Sequence, residues 1–114
     1  MLRGDDVLAT LEVAGTRSQR RRGLLGRDRF DGALLLRPCR SVHTFGMRFP
    51  IDVVLCDADL VVLRACTLPA GRLLRPRRGV RAVVEAEAGS VARWHLLPGE
   101  QLSVAADGSP APRA

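Results

Sequence analysis

Residues 41–52 read Ser-Val-His-Thr-Phe-Gly-Met-Arg-Phe-Pro-Ile-Asp and hold one of the chain's two histidines. Imidazole changes charge near neutral pH, and a carboxylate beside it fixes which ring nitrogen carries the proton. Asp52 stands inside the apolar run Ile-Asp-Val-Val-Leu-Cys. A bare carboxylate there would cost several kcal/mol, so it must be paired or accept several hydrogen bonds. Two roles satisfy that demand. Asp52 either anchors backbone amides or an arginine such as Arg27 or Arg48, or it orients His43 as a general base or shares a polar pocket with it. In an extended segment His43, Phe45 and Met47 share one face, while Val42 and Thr44 share the other. The candidate pocket is therefore His43, Thr44, Met47, Arg48 and Asp52. No residue is assigned as catalytic, because no nucleophile accompanies the pair.

Other chemistries have less behind them. Cys39-x-x-x-His43, with Cys56, Cys66 and His95 elsewhere, matches no usual zinc spacing. Neither a metal nor a cofactor is expected. The chain has no Gly-x-Ser-x-Gly elbow, no P-loop and no dinucleotide fingerprint. Arg37 and Arg40 flank Cys39 and would lower its pKa if they approached the thiol.

All 18 basic residues are arginine, there is neither lysine nor asparagine, and the net charge is +6. The two missing residues have AT-rich codons, so a GC-rich coding sequence accounts for part of the arginine excess. The charge still attracts acidic partners at low salt. Arg20, Arg21, Arg72, Arg75, Arg77 and Arg78 form the candidate polyanion-binding set. Neither cluster carries an aromatic residue for stacking on bases, which counts against single-stranded nucleic acid.

The elements that must position these groups are short. Residues 7–13 alternate in part and predict a first strand. Thr16 and Gln19 form a capping box before a helix over 17–25, which packs Leu24 and Leu25 inward and stops at Gly26. Strands are expected at 32–36, 42–45, 51–56, 60–68, 80–85 and 101–105, with a hairpin at Asp57-Ala58-Asp59. Residues 69–79 read as an arginine-rich loop, and Ser90 as the cap of a short helix over 91–95. The pattern predicts an α+β fold: a mostly antiparallel β-barrel or rolled sheet with two short helices.

With 114 residues, 46% of them hydrophobic and only 4% aromatic, the chain is expected to form one compact domain over 1–106. Its core must be built from Leu, Val and Ala, and a Pro- and Ala-rich tail over 107–114 is expected to be disordered. Three cysteines cannot all pair within one chain. Asp5 and Asp6 interrupt any signal-peptide pattern, and no apolar run approaches the roughly 18 residues of a membrane span. The expected setting is a reducing cytoplasm, away from membranes.

Several collinear stretches carry a resemblance. Arg22-Gly-Leu-Leu-Gly-Arg27 resembles an R-G-L-M-x-R helix end, and Gly32-Ala-Leu-Leu35 resembles the G-M-L-F strand after it. Pro50-Ile-Asp-Val53 resembles a P-L-D strand start, Val83-Val-Glu-Ala-Glu-Ala-Gly89 resembles V-L-E-L-x-A-G, and Pro98-Gly-Glu100 resembles a final V-G-D turn. Together, over about residues 7–104, they resemble the domain of unknown function 192 family. The resemblance implies a small, mainly β domain with a short N-terminal helix, and no established activity. Where the commoner pattern has F-W-M-K-N-T before P-L-D, this chain has Val42-His-Thr-Phe-Gly-Met47.

Three functions fit these residues. The favoured one is an accessory or binding module that takes a small ligand or protein partner at the 43–52 segment. The second is a small enzyme using a His43/Asp52 acid–base pair. The third is an electrostatic binder of nucleic acid or another polyanion through the arginine clusters.

Overall fold

The computed structural model describes residues 1–24 and 32–104. A small hairpin, β1 (Leu2–Arg3) with β2 (Asp6–Val7), precedes β3 (Leu11–Ala14) and α1 (Arg17–Arg22). There follow β4 (Ala33–Leu36), β5 (Val42–His43), β6 (Ile51–Cys56), β7 (Val62–Leu68), β8 (Leu73–Leu74), β9 (Ala82–Glu87) and α2 (Ser90–Trp94). Five of the strands make one mixed sheet in the order β3-β4-β9-β6-β7. The β3–β4 pair is parallel and the other pairs are antiparallel. The fold is thus α+β with two short helices.

The expectation of a β-barrel is corrected. The sheet is open, with β3 and β7 as its edges. A barrel closes only when its edge strands hydrogen-bond to each other. The strand expected at 101–105 would have extended the ladder, but its described residues, 101–104, contribute only the isolated bridges Leu2↔Ser103 and Val61↔Gln101. The 42–45 strand likewise shrinks to Val42–His43, which leaves the main sheet and pairs with β8 inside the expected loop.

Both faces of the sheet are covered. Alternation along β6 sends Ile51, Val53 and Leu55 to one apolar cluster, with Leu24, Leu34, Leu36, Val42 and Val83. Val54 and Cys56 go to the other, with Leu35, Val84, Leu96 and Leu102. Every residue of β6 is buried as a result. Val91 and Trp94 of α2 pack against the second cluster. Each helix end has its own stop. Thr16 accepts from the Gln19 amide at 3.1 Å while the Gln19 side chain accepts from the Thr16 amide at 3.1 Å, as the capping box requires. The expected end at Gly26, with Leu25, lies outside the described residues; α1 is closed earlier by Gly23, whose amide donates to the Gln19 carbonyl at 2.9 Å.

Helix α2 starts differently. Gly89, not Ser90, is its N-cap, at φ 96°, and no side chain next to it in sequence caps it. Asp52 does so from β6. Its Oδ2 accepts from the Gly89 and Val91 amides at 3.1 and 2.9 Å, and its Oδ1 accepts from the Thr67 hydroxyl at 2.6 Å. One carboxylate thereby satisfies helix-start amides and ties α2 to β6 and β7. At the other end of α2, the Arg3 guanidinium donates to the Trp94 and His95 carbonyls at 2.8 and 3.2 Å, where a cation is favoured.

Asp52→Ala leaves three donors without an acceptor and should lower the unfolding free energy by about 3 kcal/mol or more. Asp52→Asn keeps part of the acceptor set and should cost roughly half as much. Denaturant unfolding monitored by circular dichroism checks the order; equal stability of all three proteins would remove Asp52 from this role.

Candidate functional site

The structure does not bring His43 and Asp52 together. Asp52 belongs to the face of β6 that meets α2, whereas His43 borders the opposite face, beside Leu36, Val42 and Met47. The side-chain alternation of β6 separates them, and the proposed acid–base pair has no geometry to act through. Thr44 is fully buried, and its groups are spent on the fold. Its hydroxyl donates to the Pro69 carbonyl at 2.6 Å and accepts from the Arg72 amide at 2.8 Å. Its backbone also pairs with Arg72 and accepts from Gly71. Arg48 is exposed, Met47 is half-buried against the apolar cluster, and His43 is exposed with its ring stacked on Phe45 at 5.4 Å.

His43 and Met47 nevertheless line a cleft, and its most unusual occupant was not among the candidate residues. The cleft measures about 320 Å³ and lies between α1 and β5. Arg17, Arg20 and Arg21 come from α1, Cys39 and Ser41 from the chain before β5, and Glu85 from β9. Leu24, Leu36, Val42 and Met47 supply its apolar wall. Glu85 pairs in register with Leu34 of β4 and Val53 of β6, so it stands in the middle of an apolar sheet face. It is only 3% exposed, and its Oε1 has no hydrogen-bond partner among the described residues. The carboxylate fits there because Gly23 has no side chain: a Cβ at that position would lie 2.8 Å from Oε1.

Burial dominates the electrostatics of this cleft. It pushes the Glu85 carboxyl up from 4.5 to about 7, against a smaller downward pull from the Leu24 amide that donates to it. The Cys39 thiol is raised too, mainly by burial; the Glu85 charge adds to this, while hydrogen bonding from the Ser41 backbone and the positive charge of Arg20 work against it. The flanking arginines therefore do not make Cys39 a reactive thiolate. Cys39 donates to the Ser41 carbonyl at 3.1 Å. Arg20 also reaches the Gly15 carbonyl, and Arg17 and Arg21 are exposed at the mouth. Arg72, Arg75, Arg77 and Arg78 are exposed around and beyond β8, and none of them lines the cleft. Among the described residues no group of three or more His, Cys, Asp or Glu side chains is placed to hold a metal ion. No helix among them is long and apolar enough to cross a membrane.

Residues 2–104 match the family described as "Uncharacterized ACR", domain of unknown function 192. The chain belongs to this family. Two solved structures share the fold of this family member. One is a protein of unknown function from Novosphingobium aromaticivorans, 20% identical, with TM-score 0.69, covering 80% of this chain and 71% of that one. The other, from Sinorhizobium meliloti, is described as a candidate transcription regulator and is 24% identical, with TM-score 0.72, covering 82% and 79%. No curated protein matches the chain. In this member of domain of unknown function 192, the segment that departs from the commoner pattern, 42–47, forms one wall of the cleft through Val42, His43 and Met47.

Between about pH 4.5 and pH 7 the folded chain holds a Glu85 proton that the unfolded chain has released. The folded state binds more protons there, so Glu85 makes stability fall as pH rises through that window and level off above it. The size is on the order of 3 kcal/mol. Glu85→Gln should remove this slope, and the difference in stability between wild type and variant should change by that amount from pH 5 to pH 8. Parallel curves for the two proteins would show that Glu85 titrates normally.

Proposed function

We propose that this chain is a binding module for a small polar ligand, held in the cleft between α1 and β5. The observation that carries the reading is the unpartnered, buried Oε1 of Glu85 at that cleft. A buried polar atom without a partner in a native fold calls for one, and a few convergent polar groups on an apolar wall are what small-molecule sites supply. Arg17, Arg20 and Arg21 give the mouth a positive charge, so Arg20 and Arg21 act here as ligand contacts. His43 and Met47 are the part of the original candidate pocket that this reading retains, as walls. Thr44 and Asp52 hold the surrounding backbone. The reading places the protein in a reducing compartment, the cytoplasm, in keeping with its three free cysteines, one of them fully buried.

Native mass spectrometry of the purified protein should show a retained small molecule. Thermal unfolding against a panel of small carboxylates, phosphates and amino acids should show a ligand-dependent rise in Tm. At a hundredfold excess over Kd the stabilisation is about 2.7 kcal/mol. Ser41→Trp, which fills the cleft from a partly exposed position, should abolish both signals. No retained mass and no shift with any panel member would sink the reading.

A further inference from the structure

The cleft is bipolar. Its carboxyl, Glu85, is buried against β4 and β6, and its three cationic groups, Arg17, Arg20 and Arg21, all come from α1. The apolar side chains of Leu24, Leu36, Val42 and Met47 line the same space. The remaining titratable groups facing it are Cys39 and His43.

Each half of this arrangement selects against a ligand with only one charge. A simple amine meets three arginines before it reaches the carboxyl. A simple carboxylate pairs with the arginines but has no donor for Glu85 Oε1, and its charge is repelled by an ionised Glu85. A molecule with an ammonium at one end and an acid at the other meets both demands. Its N–H groups donate to the unpartnered oxygen, and its anion pairs with the guanidinium groups. A short methylene stem between the two lies along the apolar wall. Resting on the ligand-binding reading above, we propose that the cleft binds a small zwitterion, an amino acid, with its ammonium on Glu85 and its anion at Arg20 and Arg21.

The proposal sets a sign for the pH dependence. The ammonium pairs with the ionised carboxyl, which in the empty cleft carries its proton up to about pH 7. Binding below that pH releases a proton, so affinity should fall about tenfold for each pH unit below 7 and level off above it. A ligand that instead accepts a hydrogen bond from protonated Glu85 would show the opposite slope.

The probes are glycine, β-alanine, 4-aminobutyrate and 6-aminohexanoate, which vary the stem, each beside the carboxylate and the amine of the same chain length. Calorimetric titration at pH 6, 7 and 8 should find at least one amino acid bound tenfold or more tightly than either matching half, with affinity rising from pH 6 to 7. Glu85→Gln should reduce that amino acid to the affinity of its carboxylate half and flatten the pH profile. Arg20→Ala/Arg21→Ala should weaken the amino acid and the carboxylate alike. The wild-type pH profile needs no variant, so the test stands even if a substitution perturbs folding. Carboxylates binding as tightly as the amino acids would overturn the zwitterion and leave the ligand-binding reading intact. Tight binding indifferent to Glu85, Arg20 and Arg21 would overturn both, because the site would lie elsewhere. No binding by any probe would overturn the zwitterion alone, with the retained-mass measurement deciding the broader reading.

Discussion

The architecture depends on where one buried negative charge finds its donors. Asp52 sits in the interior strand β6, every residue of which is buried, and it cannot remain there bare. Its donors come from Thr67, fifteen residues away, and from Gly89 and Val91, thirty-seven and thirty-nine away. Satisfying that carboxylate fixes the entry of α2 onto the sheet. α2 in turn brings Val91 and Trp94 onto one apolar cluster. A five-residue helix has little stability of its own, so tertiary anchoring must supply what propensity does not.

The second buried acid is held on different terms. Asp52 accepts three hydrogen bonds, whereas Glu85 accepts one from the Leu24 amide and has an oxygen left over. Both carboxylates lie in strands that are otherwise apolar, and β6 and β9 are direct neighbours. The sheet therefore carries one buried acid on each face. The acid facing α2 is consumed by structure, and the acid facing α1 is left with bonding capacity beside a cleft. That contrast, more than any motif, separates the scaffold from the candidate site.

Local chemistry was legible where it is local. The Thr16/Gln19 box, the apolar core strand 51–56 and the need of Asp52 for partners could all be read from neighbouring residues. The partners themselves could not, because Gly89 and Val91 meet Asp52 only after the sheet has assembled. The parallel pairing of β3 with β4 is equally non-local. Glu85 is not among the candidate residues because the expected strand 80–85 ends at it, and an acid at a strand end is ordinarily solvated or capping. β9 in fact continues to Glu87, so Glu85 is interior. The signal was present in Ala82-Val-Val-Glu-Ala86, whose alternation puts Val83 and Glu85 on one face. The pairing of His43 with Asp52 failed for the same reason in reverse: nearness in sequence says nothing about which side of a sheet a residue serves.

The open sheet has a consequence for encounters between copies of the molecule. Beyond Val62, which pairs with the 99–100 turn, the outer edge of β7 meets no strand among the described residues. Such a rim offers unmatched amides and carbonyls on which another chain could template itself. Two features blunt it. The register of β7 slips against β6 at Leu55/Cys56, twisting the rim, and the exposed Arg64 stands beside that irregularity. A guanidinium is costly to desolvate between stacked ribbons, so the irregularity and this side chain together disfavour pairing along that rim.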